Sequence, residues 1–457
     1  MLKRSAIFAS LFATSLLGSA SVQIGNLYYN LDESNKTAEV TFCSKDKDIN
    51  KNYVIGSLTI PSTIEHDGIT YSVTSIGKSA FFYCLDMTSA IIPNSVTTIS
   101  ESAFRYCTDM TSVSIPNSVT TIRNSAFSYC SDLISVIIPN SVESIGEFAF
   151  AYCDKLTEVT ISESVKSIDN FAFYGCNGLT AVHITDLVAW CGIKFGTNAA
   201  NPLVDAESLY VNGEKIEELV IPETVTTILD WTFSGCNMTS VTFHDSVTSI
   251  GEYSFDKCKH LSSVIIPNSV TTIGSSAFQD CDGLSEVSIS NSVTTISSAA
   301  FRYCTSLTSV KIPDSVTTIG YYAFENCSSL TEVTISKSAK EIYTYAFNNC
   351  DNLAKIYSLA TTPAEIYDYE TFSRANYKNA TLYVPKGCID VYKAAPGWAN
   401  FANIDEIDYD SVDNVTEGNC EVAGFYNMQG VLSAKPWDGL NIVVYGDGSH
   451  RKVMFGR

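Results

Sequence analysis

Basic residues are scarce in this chain: 28 Lys and Arg stand against 49 Asp and Glu, a net charge of −21. A protein that tracks a phosphate backbone needs a basic stripe, so the balance argues against nucleic acid as a partner, and equally against docking on anionic lipid. Histidine is nearly absent. His66, His183, His244, His260 and His450 are the whole set, and none stands at a catalytic or ligand spacing from a Cys or Asp. There is no C-x-x-C, H-E-x-x-H, G-x-S-x-G, P-loop or EF-hand loop. The many carboxylates offer no distinguished pair for general acid–base work. No catalytic residue, metal or cofactor is therefore assigned, and the chain reads as non-enzymatic.

Long apolar runs are missing as well. The only candidate is the short run at residues 6–17, which follows Lys3 and Arg4 and precedes the small residues Gly18, Ser19 and Ala20. A spanning helix needs about 20 apolar residues. The segment reads instead as a secretory signal cut between Ala20 and Ser21. No Cys follows it, so lipoprotein processing is not indicated.

What the sequence has in quantity is repetition. Fifteen cysteines suggest a disulfide framework until their spacing is read. Cys84, Cys107, Cys130, Cys153 and Cys176 are 23 apart, as are Cys258, Cys281, Cys304, Cys327 and Cys350. Phenylalanine keeps step at Phe81, Phe104, Phe127, Phe150 and Phe173, then at Phe233, Phe255, Phe278, Phe301, Phe324, Phe347 and Phe372, giving twelve units. One unit, from Leu307, reads LTSVKIPDSVTTIGYYAFENCSS. Its Leu-x-x-Val-x-Ile opening has the spacing of a leucine-rich-repeat strand, with Leu307, Val310 and Ile312 inward and Ser309 and Lys311 outward. Pro313 ends that strand, a second extended piece leads to Ile319, and the Ala-Phe-x-x-Cys stretch suits a tight helical turn.

One coil buries six to eight side chains at roughly 1.5–3 kcal/mol each, whereas ordering 23 residues costs about 1–2 kcal/mol per residue. A lone coil loses on that comparison, so the units must stack. The fold expected is a repeat solenoid: a leucine-rich-repeat array with a parallel β-sheet face and short helical turns, plus a small C-terminal β module. At about 4.8 Å per strand, twelve or thirteen coils span on the order of 60 Å. The Phe and Cys columns read as core, the cysteines as small buried hydrophobes, with disulfides between adjacent coils an open alternative.

IPNSVTTI at residues 92–99, again from Ile115 and Ile266, followed by A-F-x-x-C and L-T-S-V, resembles the BspA-like leucine-rich-repeat family of surface proteins. The resemblance covers residues 71–407. It implies display on a bacterial surface, adhesion to a protein or glycan of a host or neighbouring cell, and no catalytic residues. Residues 380–407 are similar to the segment that closes such arrays. Residues 420–457 resemble a type-nine secretion sorting tail, with a vestigial β module the alternative.

The divisions expected are a signal at 1–20, an N-terminal β cap at 21–70, the solenoid at 71–379, its cap at 380–407, a linker at 408–419 and the C-terminal module at 420–457. The array is interrupted near 185–220, where Phe173 and Phe233 lie 60 apart. Asn212-Gly213 there is a strong hairpin signal. An enlarged coil that buries its own aromatics and a protruding binding element, with Trp190 and Asn212 as contacts, are both open readings. Elsewhere the outward strand positions carry the information: Glu158, Glu218, Glu286, Ser309, Lys311, Glu332 and Tyr357 form the candidate interaction surface. A passive structural surface protein, and an enzyme with a site near the insertion, are the rival readings.

Overall fold

The computed structural model describes residues 21–42, 54–368 and 370–407 with their side chains, and beyond them the backbone of four strands. The leader, the linker and its acidic run lie outside the described residues. The protein is a β-solenoid of about 14 turns.

The array starts from antiparallel strands, Val22–Ile24, Leu27–Asp32 and Thr37–Thr41. Thr37–Thr41 then pairs in parallel with Ile69–Ile76 and hands the sheet on to the coils. From there each coil contributes two short strands. The first ladder stacks the Leu-x-x-Val-x-Ile segments in register, for example Ser135–Ile137 on Glu158–Ile161 on Ala181–Ile184. The second stacks the Thr-Ile pairs, with Ile99, Ile122, Ile145 and Ile168 in one column. Alternation along these strands aims Val and Ile inward, and the inward residues are almost wholly buried.

The third side of each coil departs from the helical turn expected there. It is a run of turns with two left-handed residues, as at Ser102 (φ 56°) and Tyr106 (φ 65°), or Tyr322 (φ 59°) and Asn326 (φ 61°). A left-handed residue other than glycine costs roughly 1–2 kcal/mol. The return is a change in where the amides point. The N–H groups of Ser102, Phe104 and Tyr106 donate to Asn124, Ala126 and Ser128 of the next coil, at 2.8–2.9 Å, while those of Ala103, Arg105 and Cys107 close local turns. A helix would spend every amide within its own coil and leave this wall unpaired along the axis.

Inside, the Phe rings stack along the axis, with centroids 4.9–5.4 Å apart from Phe81 to Phe173 and 5.2–5.5 Å apart from Phe233 to Phe372. The thirteen described cysteines are free and buried, so the inter-coil disulfide alternative is not realised among them. Nor is the thiol merely a small apolar filler. Cys107, Cys130, Cys153 and Cys176 each donate S–H to the Phe carbonyl one coil back, at 3.1–3.3 Å, and the same bond recurs from Cys258 to Cys350. Burial pushes Cys130, Cys153, Cys258, Cys304 and Cys327 well above the usual thiol value.

In the interruption, a helix at Leu187–Cys191 replaces the Pro turn, and Lys194–Phe195 takes the Thr-Ile place beside Ser167–Ile168. A second short helix, Leu203–Ala206, then leads to Leu209–Val211, which rejoins the first ladder. This is an enlarged coil. At the other end, Thr381–Pro385 and Asn403–Ile407 complete the first ladder, and Trp398 and Tyr392 are fully buried beneath them. The C-terminal strands, Val422–Asn427, Leu432–Ser433, Gly439–Tyr445 and His450–Phe455, form a separate antiparallel sheet.

Two outcomes follow. Phe278→Ala should cost about 3–5 kcal/mol in urea denaturation, because the cavity lies between two stacked rings that cannot close on it. The thirteen described thiols should resist a water-soluble disulfide reagent at pH 8 until denaturant is added, since burial keeps the reagent from each sulfur. Rapid native labelling of any of them would contradict the buried column.

Candidate functional site

The outward face of the first ladder is where the sequence places its candidate surface, and the structure sorts those residues into three kinds. Glu218, Glu286, Ser309 and Lys311 are exposed. Glu158 is exposed and faces His183 Nε2 at 3.8 Å, and Glu332 is half-buried with Lys355 Nζ at 3.7 Å. The register Ser309, Glu332, Lys355 explains that pair: cross-strand neighbours in a parallel ladder meet at one coil spacing. Tyr357 departs from expectation. It is only 9% exposed, because its ring stacks on Tyr383 at 4.9 Å and packs with Leu359 in a small outer cluster that Ile407 also joins.

The two residues singled out in the insertion also part company. Asn212 is exposed at the tip of a two-residue turn, with φ 52° at Asn212 and 86° at Gly213, the geometry that pairs Val211 with Glu214. Trp190 is not a contact residue. It is 1% exposed, and its Nε1–H donates to the Thr232 carbonyl at 3.1 Å. Asn201 Nδ2 donates to the Trp231 carbonyl at 2.7 Å. Trp190 stands in for the missing coil at the Thr232 carbonyl, whose equivalents elsewhere, such as that of Ala103, receive a neighbour's amide, and Asn201 adds a second donor to the Trp231 carbonyl beside the Ser234 N–H. Gly235 (φ 81°) permits the close approach, since a Cβ there would lie 2.7 Å from Val204 Cα.

Four aliphatic residues stand out on the same face. Ile91, Ile137, Val220 and Ile265 sit in the fifth strand position and are 50%, 67%, 54% and 66% exposed. Ser112–Ser114 and Ser135–Ile137 are not paired to each other, and an open groove of about 480 Å³ lies there, lined by Ser112, Ser114, Ile137, Asn140 and Thr160 among others. The hydroxyls just before each strand are occupied in the fold itself: Thr111, Thr157, Thr180, Thr239, Thr308 and Thr331 each donate to the carbonyl of the equivalent position one coil back. A Ser or Thr at that place in nearly every unit was the available signal.

The same family of solenoids is visible in comparison. The BspA type leucine rich repeat region, in six copies, matches residues 74–193, 206–327 and 294–411. The chain belongs to this family. A leucine-rich repeat protein from Bacteroides ovatus superimposes with a TM-score of 0.58 at 25% identity, over 85% of this chain and 100% of that one. The pneumococcal vaccine antigen PcpA does so with a TM-score of 0.52 at 19% identity, over 86% and 99%, which shows the fold alone. A leucine rich cell surface protein from Faecalibacterium prausnitzii is 26% identical over 74% of this chain and 94% of its own, with a TM-score of 0.46. No curated protein matches.

Among the described residues no group of three or more His, Cys, Asp or Glu is placed to hold a metal ion. One buried carboxyl stands out beside the insertion. Asp256 is 3% exposed, its Oδ1 has no hydrogen-bond partner, and Ser234 Oγ lies 3.5 Å from its Oδ2. Burial raises its pKa to about 7, with Lys257 opposing and Asp280 adding to the rise. The native state thus holds this proton more tightly than the unfolded chain does. The stability it lends is complete below about pH 4 and is lost as pH rises toward 7, by on the order of a few kcal/mol. Asp256→Asn should therefore be close to wild type in stability at pH 4 and more stable at pH 8. Equal denaturation midpoints at both pH values would show that Asp256 is not held protonated.

Proposed function

We propose that this protein is exported to a bacterial cell surface and acts there as a non-enzymatic interaction module, holding a protein or glycan of a host or neighbouring cell against the outer face of its first ladder. The observation that carries the reading is the column Ile91, Ile137, Val220 and Ile265. Single exposed aliphatics are ordinary on any surface. These four share one strand position, stand among Ser and Thr of the same column, and are at least half exposed on three successive sheets of the first ladder. A long face of apolar spots among hydroxyls and mixed charges suits an extended macromolecular partner. Membership of the family supports display and binding, and the basic, apolar, small-residue order of the first twenty residues supports export.

The test is a binding screen of the full chain against matrix-protein and glycan arrays, followed by Ile137→Glu and Ile265→Glu. Both side chains are mostly exposed, so stability should change by less than about 0.5 kcal/mol. Binding to any ligand found should fall at least tenfold. A screen with no ligand, together with light scattering that grows with concentration, would favour a passive structural protein. Full binding by both variants would move the site off this face.

A further inference from the structure

Five lysines of this fold share one pattern of pairing. Lys78 meets Glu101, Lys155 meets Asp132, Lys166 meets Glu143, Lys337 meets Asp314 and Lys355 meets Glu332, each pair 23 residues apart and each within 3.7 Å. The partner is the same position of an adjacent coil, since that is the side chain the stacking brings alongside. Arg302 on the third wall obeys it. It follows the interior Phe301, its guanidinium lies 4.8 Å from the Tyr303 ring and 5.0 Å from the Tyr322 ring, and its Nε bonds Glu325 Oε2 at 2.6 Å. Glu325 follows Phe324, one coil on.

Arg105 occupies the same place in an earlier coil: it follows Phe104, and Tyr106 beside it is left-handed like Tyr303. Its guanidinium lies 5.1 Å from Tyr106 and 5.8 Å from Tyr129, the second ring coming from the tyrosine column because Ser125 stands where Tyr322 would be. The carboxylate is what differs. The residue after Phe127 is Ser128, which is 2% exposed, and one coil back the same position is Phe82. Neither can neutralise a cation. Arg105 Nε is buried without a hydrogen-bond partner, and among the described residues no carboxylate lies within ion-pair distance of it. In a chain of net charge −21, a half-buried guanidinium lacking an acid is the exception.

We infer that Arg105, held beside the Tyr106–Tyr129 stack, is a docking point for a Glu or Asp side chain of a partner polypeptide, which meets its outward Nη atoms and neutralises it as Glu325 neutralises Arg302. A polypeptide carboxylate is favoured because a glutamate is the group the equivalent seat holds in this same molecule. The guanidinium fork offers paired donors to a carboxylate, and the tyrosine stack fixes its plane. The stacked rings of Tyr83, Tyr106, Tyr129 and Tyr152 are 4.4–4.5 Å apart, so their faces are occupied by one another and only their edges and hydroxyls remain for a ligand. This wall is distinct from the outer face of the first ladder, and the site stands whether or not that face binds.

The experiment titrates the full chain with oligo-L-glutamate, with oligo-L-glutamine as the neutral control and oligogalacturonate as a glycan carboxylate, by calorimetry at low salt. Oligo-L-glutamate should bind, oligo-L-glutamine should not, and Arg105→Gln should weaken binding at least tenfold. Ser128→Glu supplies the absent acid from within, so it should weaken binding to the same extent while raising the melting temperature. Binding of oligogalacturonate alone would overturn the polypeptide assignment. Binding unchanged in both variants, or a Ser128→Glu protein that melts no higher than wild type, would overturn the site.

Discussion

Every coil of this protein satisfies its backbone through its neighbours. Both ladders and the third wall direct amides along the axis, so a single coil removed from the stack would leave three sets of polar groups unpaired around an apolar interior. The third wall shows how far this requirement reaches. Ser, Tyr, Phe and Asn accept left-handed conformations there, which are unfavourable for them, because that geometry alternates the amides between the local turn and the next coil. Side chains repeat the theme. Thiols reach back to Phe carbonyls and hydroxyls reach back to strand carbonyls, so residues that look like generic filler or generic surface are rungs.

The same constraint explains the interruption. An enlarged coil breaks both ladders, and the Thr232 carbonyl is left without a backbone donor. Trp190 and Asn201 supply donors to it from side chains. The adjoining coils carry Thr232, Ser234, Ser254 and Asp256 around the interior Phe, all buried, where regular coils place Ala at the first of these positions. The seam between the two runs of coils is thus the most polar part of the interior, and it holds the buried carboxyl whose protonation tracks pH.

Charge obeys the stacking too. Pairs form between equivalent positions of adjacent coils, so the electrostatics of the solenoid are set one column at a time and a net charge of −21 is compatible with locally paired faces. What remains unpaired is informative for that reason. The outer face of the first ladder keeps exposed aliphatics that no neighbour covers, and Arg105 keeps a guanidinium that the next coil does not answer.

Much of this was legible in the residues. A 23-residue period in Phe and Cys dictates stacking, because no other arrangement puts every unit's apolar positions inside, and Asn212-Gly213 dictates its turn because both residues tolerate positive φ. The path of the third wall was not legible, since Ala-Phe-x-x-Cys is as good a helical turn as it is a left-handed one until the neighbouring coil competes for its amides. Tyr357 was misplaced, and the two readings of Trp190 stayed open, for a related reason: outward or inserted positions are exposed by pattern, and only the packed structure shows Tyr383 against one and Thr232 beneath the other. Sequence by itself settled the solenoid, its core columns and its family, because periodicity is a property of one chain read end to end. Tertiary structure alone decided which hydroxyls, thiols and cations are spent between coils and which face outward, because those fates depend on what the neighbouring coil places alongside.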